Sequence, residues 1–364
     1  MAEGSNSRRH TDTNPQSPQR NMTQVSKRMK ILFGVIFGVL ALATIAAIVL
    51  VPIFSYKAEK EALIRIPKAA TRQMVRDSVA KYLGENYAEM VSRVSALRGS
   101  DYSNRHGAYL IEAGMSPLRA ENRLRSGAQH PVKLVVNGFR TKQLLAEKIA
   151  TKLDFPADSL LAAMNNPQLA EKYGLTPEQS LALFPDATYE VWWSDSPDKI
   201  ISRTGENYNR IWTEERRKKA RALGLSPAEM MTLCAIVDEE TNKAEDKGPI
   251  GRLYINRLKR GMKLQADPTV KFAFGDFSLR RIRSEHLKTD SPYNTYIYAG
   301  LPPGLIRTTS VATIDSVLNS KPHEFIFMCA KDDFSGYHAF ASTYEEHLKN
   351  ARRYQQALNR RNIQ

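Results

Sequence analysis

The sequence predicts an α+β protein tethered by a single N-terminal transmembrane helix. Three observations carry that expectation. Residues 31–54 form a run of 24 positions without a charge. Beyond it, short β-rich runs alternate with amphipathic stretches at helical spacing, as in small α+β modules. A denser helical region, with polar and aromatic loops, begins at Ser226.

The apolar run comes first. At about 1.5 Å per residue its helix reaches roughly 36 Å, enough to cross a hydrocarbon core of about 30 Å. A cleaved signal peptide has an apolar stretch of only about 7–15 residues followed by a small-x-small site. Here the run ends in Val51-Pro52-Ile53-Phe54-Ser55-Tyr56-Lys57, which offers no such site. An uncleaved signal anchor is expected, with the lipid bilayer as partner of residues 31–54. Arg8, Arg9, Arg20, Lys27, Arg28 and Lys30 precede the run, against Glu3 and Asp12. Such an excess of basic residues keeps the N-terminus in the cytoplasm and exports the rest. Residues 1–26, rich in Ser, Thr, Asn, Gln and Pro, are expected to be a disordered tail.

Composition narrows the partners. The 364 residues carry 53 Lys and Arg against 38 Asp and Glu, a net charge of +15. The leader holds +4 of this, so +11 belongs to the exported body. Outside the membrane that charge suits an acidic wall polymer or lipid headgroups, not nucleic acid. Two cysteines, Cys234 and Cys329, are too few for a disulfide framework. The seven histidines show no metal-ligand spacing, and no Gly-rich phosphate loop stands out. Neither a metal nor a cofactor is expected. No period of 20–50 residues recurs, which argues against a solenoid.

Along the exported part, strands are expected at 64–67, 107–111, 132–136 and 188–193. Helices are expected at 71–83, at 117–125 after Ser116-Pro117, and at 141–153. The charged stretch 207–222 reads as one solvated helix with acid-to-base pairs four apart. Ser226-Pro227-Ala228-Glu229 is a capping box that starts a helix running to about Thr241.

That last helix ends in three carboxylates, Asp238, Glu239 and Glu240. On a wheel of 100° per residue with Val237 at zero, the apolar residues span about −100° to +60°. Asp238 falls at the edge of this arc, Glu239 faces water, and Glu240 lies inside at about −60°. A carboxyl among Leu, Ile and Val loses solvation of its charged form, so its pKa rises. At an ordinary value near 4.3 only about one glutamate in 500 is protonated at pH 7. Burial would create the protonated state that can donate to a leaving oxygen. The plainer alternative is a glutamate satisfied by a neighbouring Arg or Lys.

Other motifs favour chemistry. They are Ile255-Asn256-Arg257-Leu258, Leu264-Gln265-Ala266-Asp267-Pro268-Thr269-Val270, Tyr293-Asn294-Thr295-Tyr296 and Gly300-Leu301-Pro302-Pro303-Gly304. Their amides and hydroxyls suit sugar hydroxyls, and tyrosine faces stack on pyranose rings. Together with Val237-Asp238-Glu239-Glu240-Thr241, Gly336-Tyr337-His338-Ala339-Phe340, Thr343, Glu346 and His347, they resemble the endolytic murein transglycosylases of the MltG/YceG type. The resemblance runs over nearly all of the exported chain. It implies a cytoplasmic tail at 1–30, a transmembrane anchor at 31–54, a LysM-like wall-binding region at 58–195 and an α+β catalytic domain at 196–364.

The resemblance also implies that Glu240 is the catalytic acid/base and that peptidoglycan glycan strands are the substrate. Cleavage would give a 1,6-anhydro-MurNAc end and terminate nascent strands, with cell-wall synthases as further candidate partners. Asn256, Gln265, Tyr293 and Asn294 are candidates for gripping the glycan. Asp267 is a candidate charge stabiliser, or a turn cap before proline. The chain departs from the family at Asp238, where the first of the acids is usually Glu, at Leu305-Ile306-Arg307-Thr308-Thr309-Ser310, and at an extra Ala187. Two rival readings remain: an anchored wall-binding scaffold without turnover, and a true hydrolase.

Overall fold

The structure, a computed structural model, describes residues 1, 19–279 and 281–361. The expected disordered tail therefore lies, as far as residue 18, outside the described residues. The Gln19–Ser55 helix starts before the apolar run. Within it, residues 27–55 are long and apolar enough to cross a membrane.

Two compact units follow from the packing, Met1–Ala128 and Gln129–Gln364. In the first, β1 (Ala62–Ile66) and β2 (Gly107–Ile111) pair antiparallel, with Ala62 opposite Ile111 and Ile66 opposite Gly107. Helices Arg72–Leu83 and Glu85–Leu97 connect them, and Pro117–Ser126 follows. The sequence reading missed Glu85–Leu97. Its buried residues are Tyr87, Ala88, Val91, Val94 and Ser95, a stripe at helical spacing with few strong formers at its start. Ile64, Ile66, Val75, Val79 and Tyr109 share one core.

The second unit opens with the same pattern. Strands β3 (Val132–Val136) and β4 (Ala187–Val191) pair antiparallel in a matching register, Val132 opposite Val191. The likeness extends to side chains. Thr71 and Thr141 each cap the next helix through the amide three residues on. The Tyr109 and Tyr189 hydroxyls each donate to the carbonyl four residues back, Arg105 and Pro185. Ser116-Pro117 and Ser196-Pro197 each open the next helix. A two-fold repetition is thus present at spacings of 70 and 80 residues, longer than the periods tested on the sequence.

The second copy is not a free module. Leu134, Val136, Leu145 and Ile149 share a core with Met230, Leu233 and Ile236 of the Pro227–Glu240 helix. The division drawn at 195/196 from sequence and the division of the packing at 128/129 therefore fall at different places. The rest of this unit is helical apart from β5 (Phe327–Ala330) and β6 (His338–Ala341), an antiparallel pair. Residues 207–222 are two helices rather than one, Pro197–Ile211 and Glu214–Ala222. The buried Trp212 leaves the helical backbone at ψ 66°, and Thr213 caps the new helix through Arg216 N–H. Cys234 and Cys329 are unpaired.

Tight packing fixes the loop after Leu301-Pro302-Pro303. At Gly304 an added Cβ would lie 2.2 Å from the Glu178 carbonyl oxygen. Gly304→Ala is expected to lower stability by about 1–3 kcal/mol, because neither backbone can withdraw cheaply. Thermal denaturation checks this: a midpoint equal to that of the native chain would contradict the packing described.

Candidate active site

The Pro227–Glu240 helix begins as its capping box requires, with Ser226 and Glu229 exchanging hydrogen bonds. It is buried along nearly its whole length, Met230 to Asp238. Its three terminal carboxylates part ways. Asp238, 8% exposed, accepts Lys247 Nζ at 2.7 Å and the hydroxyls of Thr309 and Thr313 at 2.6 Å each. Glu239 does not face water as the wheel indicated. Its two oxygens meet Arg140 Nη2 at 2.9 Å and Arg307 Nη1 at 3.0 Å. The arginine-satisfied glutamate weighed as the plain alternative exists, but it is Glu239.

Glu240 has no such cation. Tyr254 Oη donates to its Oε1 at 2.6 Å, and this is the sole hydrogen bond to its carboxyl among the described residues. Burial raises its pKa to about 7. The tyrosine bond and Lys271 pull the value down, while the negative charges of Asp267 and Glu239 push it up. Desolvation prevails, so near neutrality the carboxyl is divided between its two forms.

Glu240, Tyr254, Arg257, Gln265, Asp267 and Tyr296 line one cleft of about 220 Å³. The Ala244–Lys259 helix supplies Tyr254 and Arg257. The Arg257 guanidinium donates to the Ile326 and Leu264 carbonyls, each at 2.7 Å, and so pins two walls of the cleft. Gln265 is exposed, at φ +50°, a left-handed conformation uncommon for a residue with a side chain. It is held there by its own N–H on the Thr295 carbonyl and by Ala266 N–H on the Thr295 hydroxyl. Strain of this kind collects at functional sites. Asp267 begins the Asp267–Phe274 helix and accepts Tyr296 Oη at 2.6 Å. Burial and that carboxylate raise the Tyr296 pKa.

Of the six candidates read from the sequence, Glu240, Gln265 and Asp267 meet in this cleft. Asn294 does not line it. Fully buried, it donates to the Leu287 and Thr289 carbonyls and accepts Tyr296 N–H, so it fastens the loop that presents Tyr296. Asn256 is likewise committed, its amide donating to the His323 and Phe325 carbonyls at 2.7 and 3.0 Å. Loop backbones claim both amides. Tyr293 lines a neighbouring cavity, with its ring 4.6 Å from Phe272. Tyr254 was missed. Its signal was the stripe Ile250, Leu253, Tyr254, Arg257 at helical spacing, in which one buried hydroxyl needs a partner.

The departures noted at Asp238 and at residues 305–310 meet each other. Thr309 bonds Asp238, and Arg307 bonds Glu239. Thr308 exchanges backbone and side-chain bonds with Phe139, and its hydroxyl reaches Asp186. Among the described residues, no group of three His, Cys, Asp or Glu side chains could hold a metal ion.

Two expectations follow. The Tyr254 hydroxyl favours the ionised carboxylate, so Tyr254→Phe raises the Glu240 pKa further, by roughly half to one unit. A carboxyl titration by NMR reads this; a lower value would contradict the geometry. Burial raises the Glu240 value from its ordinary 4.5, so its ionised form is the destabilising one. Its contribution to stability is present below about pH 4.5 and is lost as pH rises through about 7. Glu240→Gln, neutral throughout, should therefore gain on the native chain by about 1–3 kcal/mol at pH 8 and by almost nothing at pH 4. Denaturation curves at the two pH values test it.

The chain is similar to several known proteins. The YceG-like family model matches residues 64–353. The chain is 30% identical over 172 residues to a Bacillus subtilis (strain 168) protein named endolytic murein transglycosylase, with 47% of each chain aligned. A Streptococcus pneumoniae (strain D39) protein of the same name is 29% identical over 176 residues, covering 46% of this chain and 31% of the relative. This chain thus spans less than half the length of these curated relatives. In fold it is similar to the crystal structure of a YceG-like protein from Listeria monocytogenes, with a TM-score of 0.52 and 22% identity over 80% of this chain and 98% of that one. A match from residue 64 to residue 353, well over half of the chain, means that this protein belongs to the YceG-like family.

Proposed function

We propose that this chain is a membrane-anchored lytic transglycosylase of peptidoglycan, with Glu240 as its single acid/base. The observation that carries the reading is the half-buried Glu240 carboxyl, held near neutral pKa with one tyrosine partner in a polar cleft. The names of the curated relatives support the same activity.

Glycoside hydrolases usually need two carboxylates, one of them to activate water or form a glycosyl-enzyme. A lytic enzyme needs one. Tyr254 occupies Glu240 Oε1, which leaves Oε2 to carry the proton. That proton passes to the glycosidic oxygen as the bond from the MurNAc anomeric carbon breaks. The glutamate then takes the proton of the same sugar's C6 hydroxyl, whose oxygen closes on the anomeric carbon. The 1,6-anhydro ring forms, Glu240 is protonated again, and no water is consumed. A pKa near 7 suits both halves, since donor and acceptor forms are then close in energy. Asp267 supplies negative charge beside the developing oxocarbenium, and Gln265 and Tyr296 grip sugar hydroxyls.

Around this centre, residues 31–54 serve as the anchor, with residues 1–30 in the cytoplasm. The region 58–195 acts as a LysM-like wall-binding part, and 196–364 as the catalytic part. Cutting of nascent strands beside the cell-wall synthases would end their elongation.

Glu240→Gln should fold, bind wall polymer and lose about 10²–10⁴-fold in rate. Mass spectrometry of digests of purified wall reads the outcome, because an anhydro end is lighter than a reducing end by one water. Reducing ends from the native chain would indicate a hydrolase, and unchanged glycan length a scaffold. Full activity in Glu240→Gln would remove Glu240 from the reaction.

A further inference from the structure

The cavity that holds Tyr293 differs in chemistry from the cleft at Glu240. It has a volume of about 280 Å³, and the Phe272 and Tyr293 rings and the Leu305 side chain give it apolar walls. Arg140 and Lys142 add two cations, and the acid Glu178 also lines it. The two cavities are strung on one helix, Asp267–Phe274, with Asp267 lining the first and Phe272 the second. At 1.5 Å per residue, those two positions lie about 7.5 Å apart along the helix axis. Arg140, which lines the second cavity, also bonds Glu239, the neighbour of Glu240, so the two cavities are adjacent.

Lys142 is the informative group. Its ammonium donates to the Pro177 carbonyl at 3.0 Å and to the Asn165 side-chain oxygen. Among the described residues no carboxylate lies within ion-pair range of it. Burial lowers its pKa, and exposed Glu178 opposes that from a distance. The charge is thus half-desolvated and met only by neutral oxygens, although an ammonium has three protons to give. Arg140, by contrast, is ion-paired with Glu239, which it shares with Arg307. The cavity therefore holds an ammonium with no bonded carboxylate among the described residues, beside aromatic and aliphatic walls.

We infer that this cavity is a carboxylate-reading subsite for the short peptide borne by the muramic acid whose anomeric carbon sits at Glu240. The assignment rests on the transglycosylase reading above. A wall peptide offers free carboxylates, which suit Lys142. It offers alanine methyl groups, which suit Phe272, Tyr293 and Leu305. Its diamino acid offers an ammonium, which suits Glu178. The second copy of the repeated fold, through Lys142, would thus select peptide-bearing strands over denuded ones.

Binding of a synthetic muramyl tripeptide to the full chain in detergent micelles, followed by calorimetry, tests this without needing turnover. Saturable binding is expected, weakened at least tenfold in Lys142→Met. Amidation of the peptide's carboxylates should weaken binding to the unaltered protein by a similar factor, which keeps the test decisive if the variant misfolds. No saturable binding, or equal affinity for the free and amidated peptides, would overturn the subsite. Because this readout is independent of bond cleavage, a chain that binds the peptide as described but releases no anhydro ends would refute the proposed reaction and leave the subsite standing.

Discussion

Three consecutive carboxylates at the C-terminal end of a buried helix set the central electrostatic problem of this molecule. The end of a helix carries partial negative charge, so anions there are disfavoured even when solvated. Here they are also largely desolvated. Asp238 is met by an ammonium and two hydroxyls, and Glu239 by two guanidinium groups. Glu240 is met by a phenol alone. Withholding a cation from the third acid, while supplying the first two, is what leaves it hungry for a proton.

The supply of those cations explains why the chain is organised as it is. Arg140 comes from the turn after β3, Arg307 from the loop after Gly304, and Lys247 from the Ala244–Lys259 helix. Backbone and side-chain bonds among Phe139, Asp186 and Thr308 stitch the first two sources together. The region 129–195 is therefore part of the scaffold of the cleft. Removing it would strip Glu239 of one partner and Thr308 of both Phe139 and Asp186.

Much of this was legible in the sequence. The strands at 107–111 and 132–136 and the capped helix from Pro227 follow from local rules of alternation, turns and caps. The wheel also selected Glu240, because one helix in contact with one core obeys its own periodicity. It failed for Glu239, whose partners come from 99 residues upstream and 68 downstream. No local pattern contains them. The polar loops stand out in the sequence, but which of their side chains line the cleft does not follow from it. Asn256 and Asn294 spend their amides on backbone carbonyls, a choice that only the folded path of the loops determines. Tyr254 was hidden because an aromatic residue in an apolar stripe reads as core until its hydroxyl is seen to have a partner.

The doubled pattern of two antiparallel strands joined through helices carries a kinetic consequence. The native partners β1 and β2 are separated by 41 positions, from Ile66 to Gly107, whereas the wrong partners β2 and β3 are separated by only 21, from Ile111 to Val132. Halving a loop favours its closure by about 0.6 kcal/mol, so chain entropy leans slightly toward the wrong pair. During synthesis β2 meets β1 before β3 exists, and the native strand pair can form unopposed. A chain diluted from denaturant has both choices at once, so its refolding is open to a trap that its biosynthesis avoids.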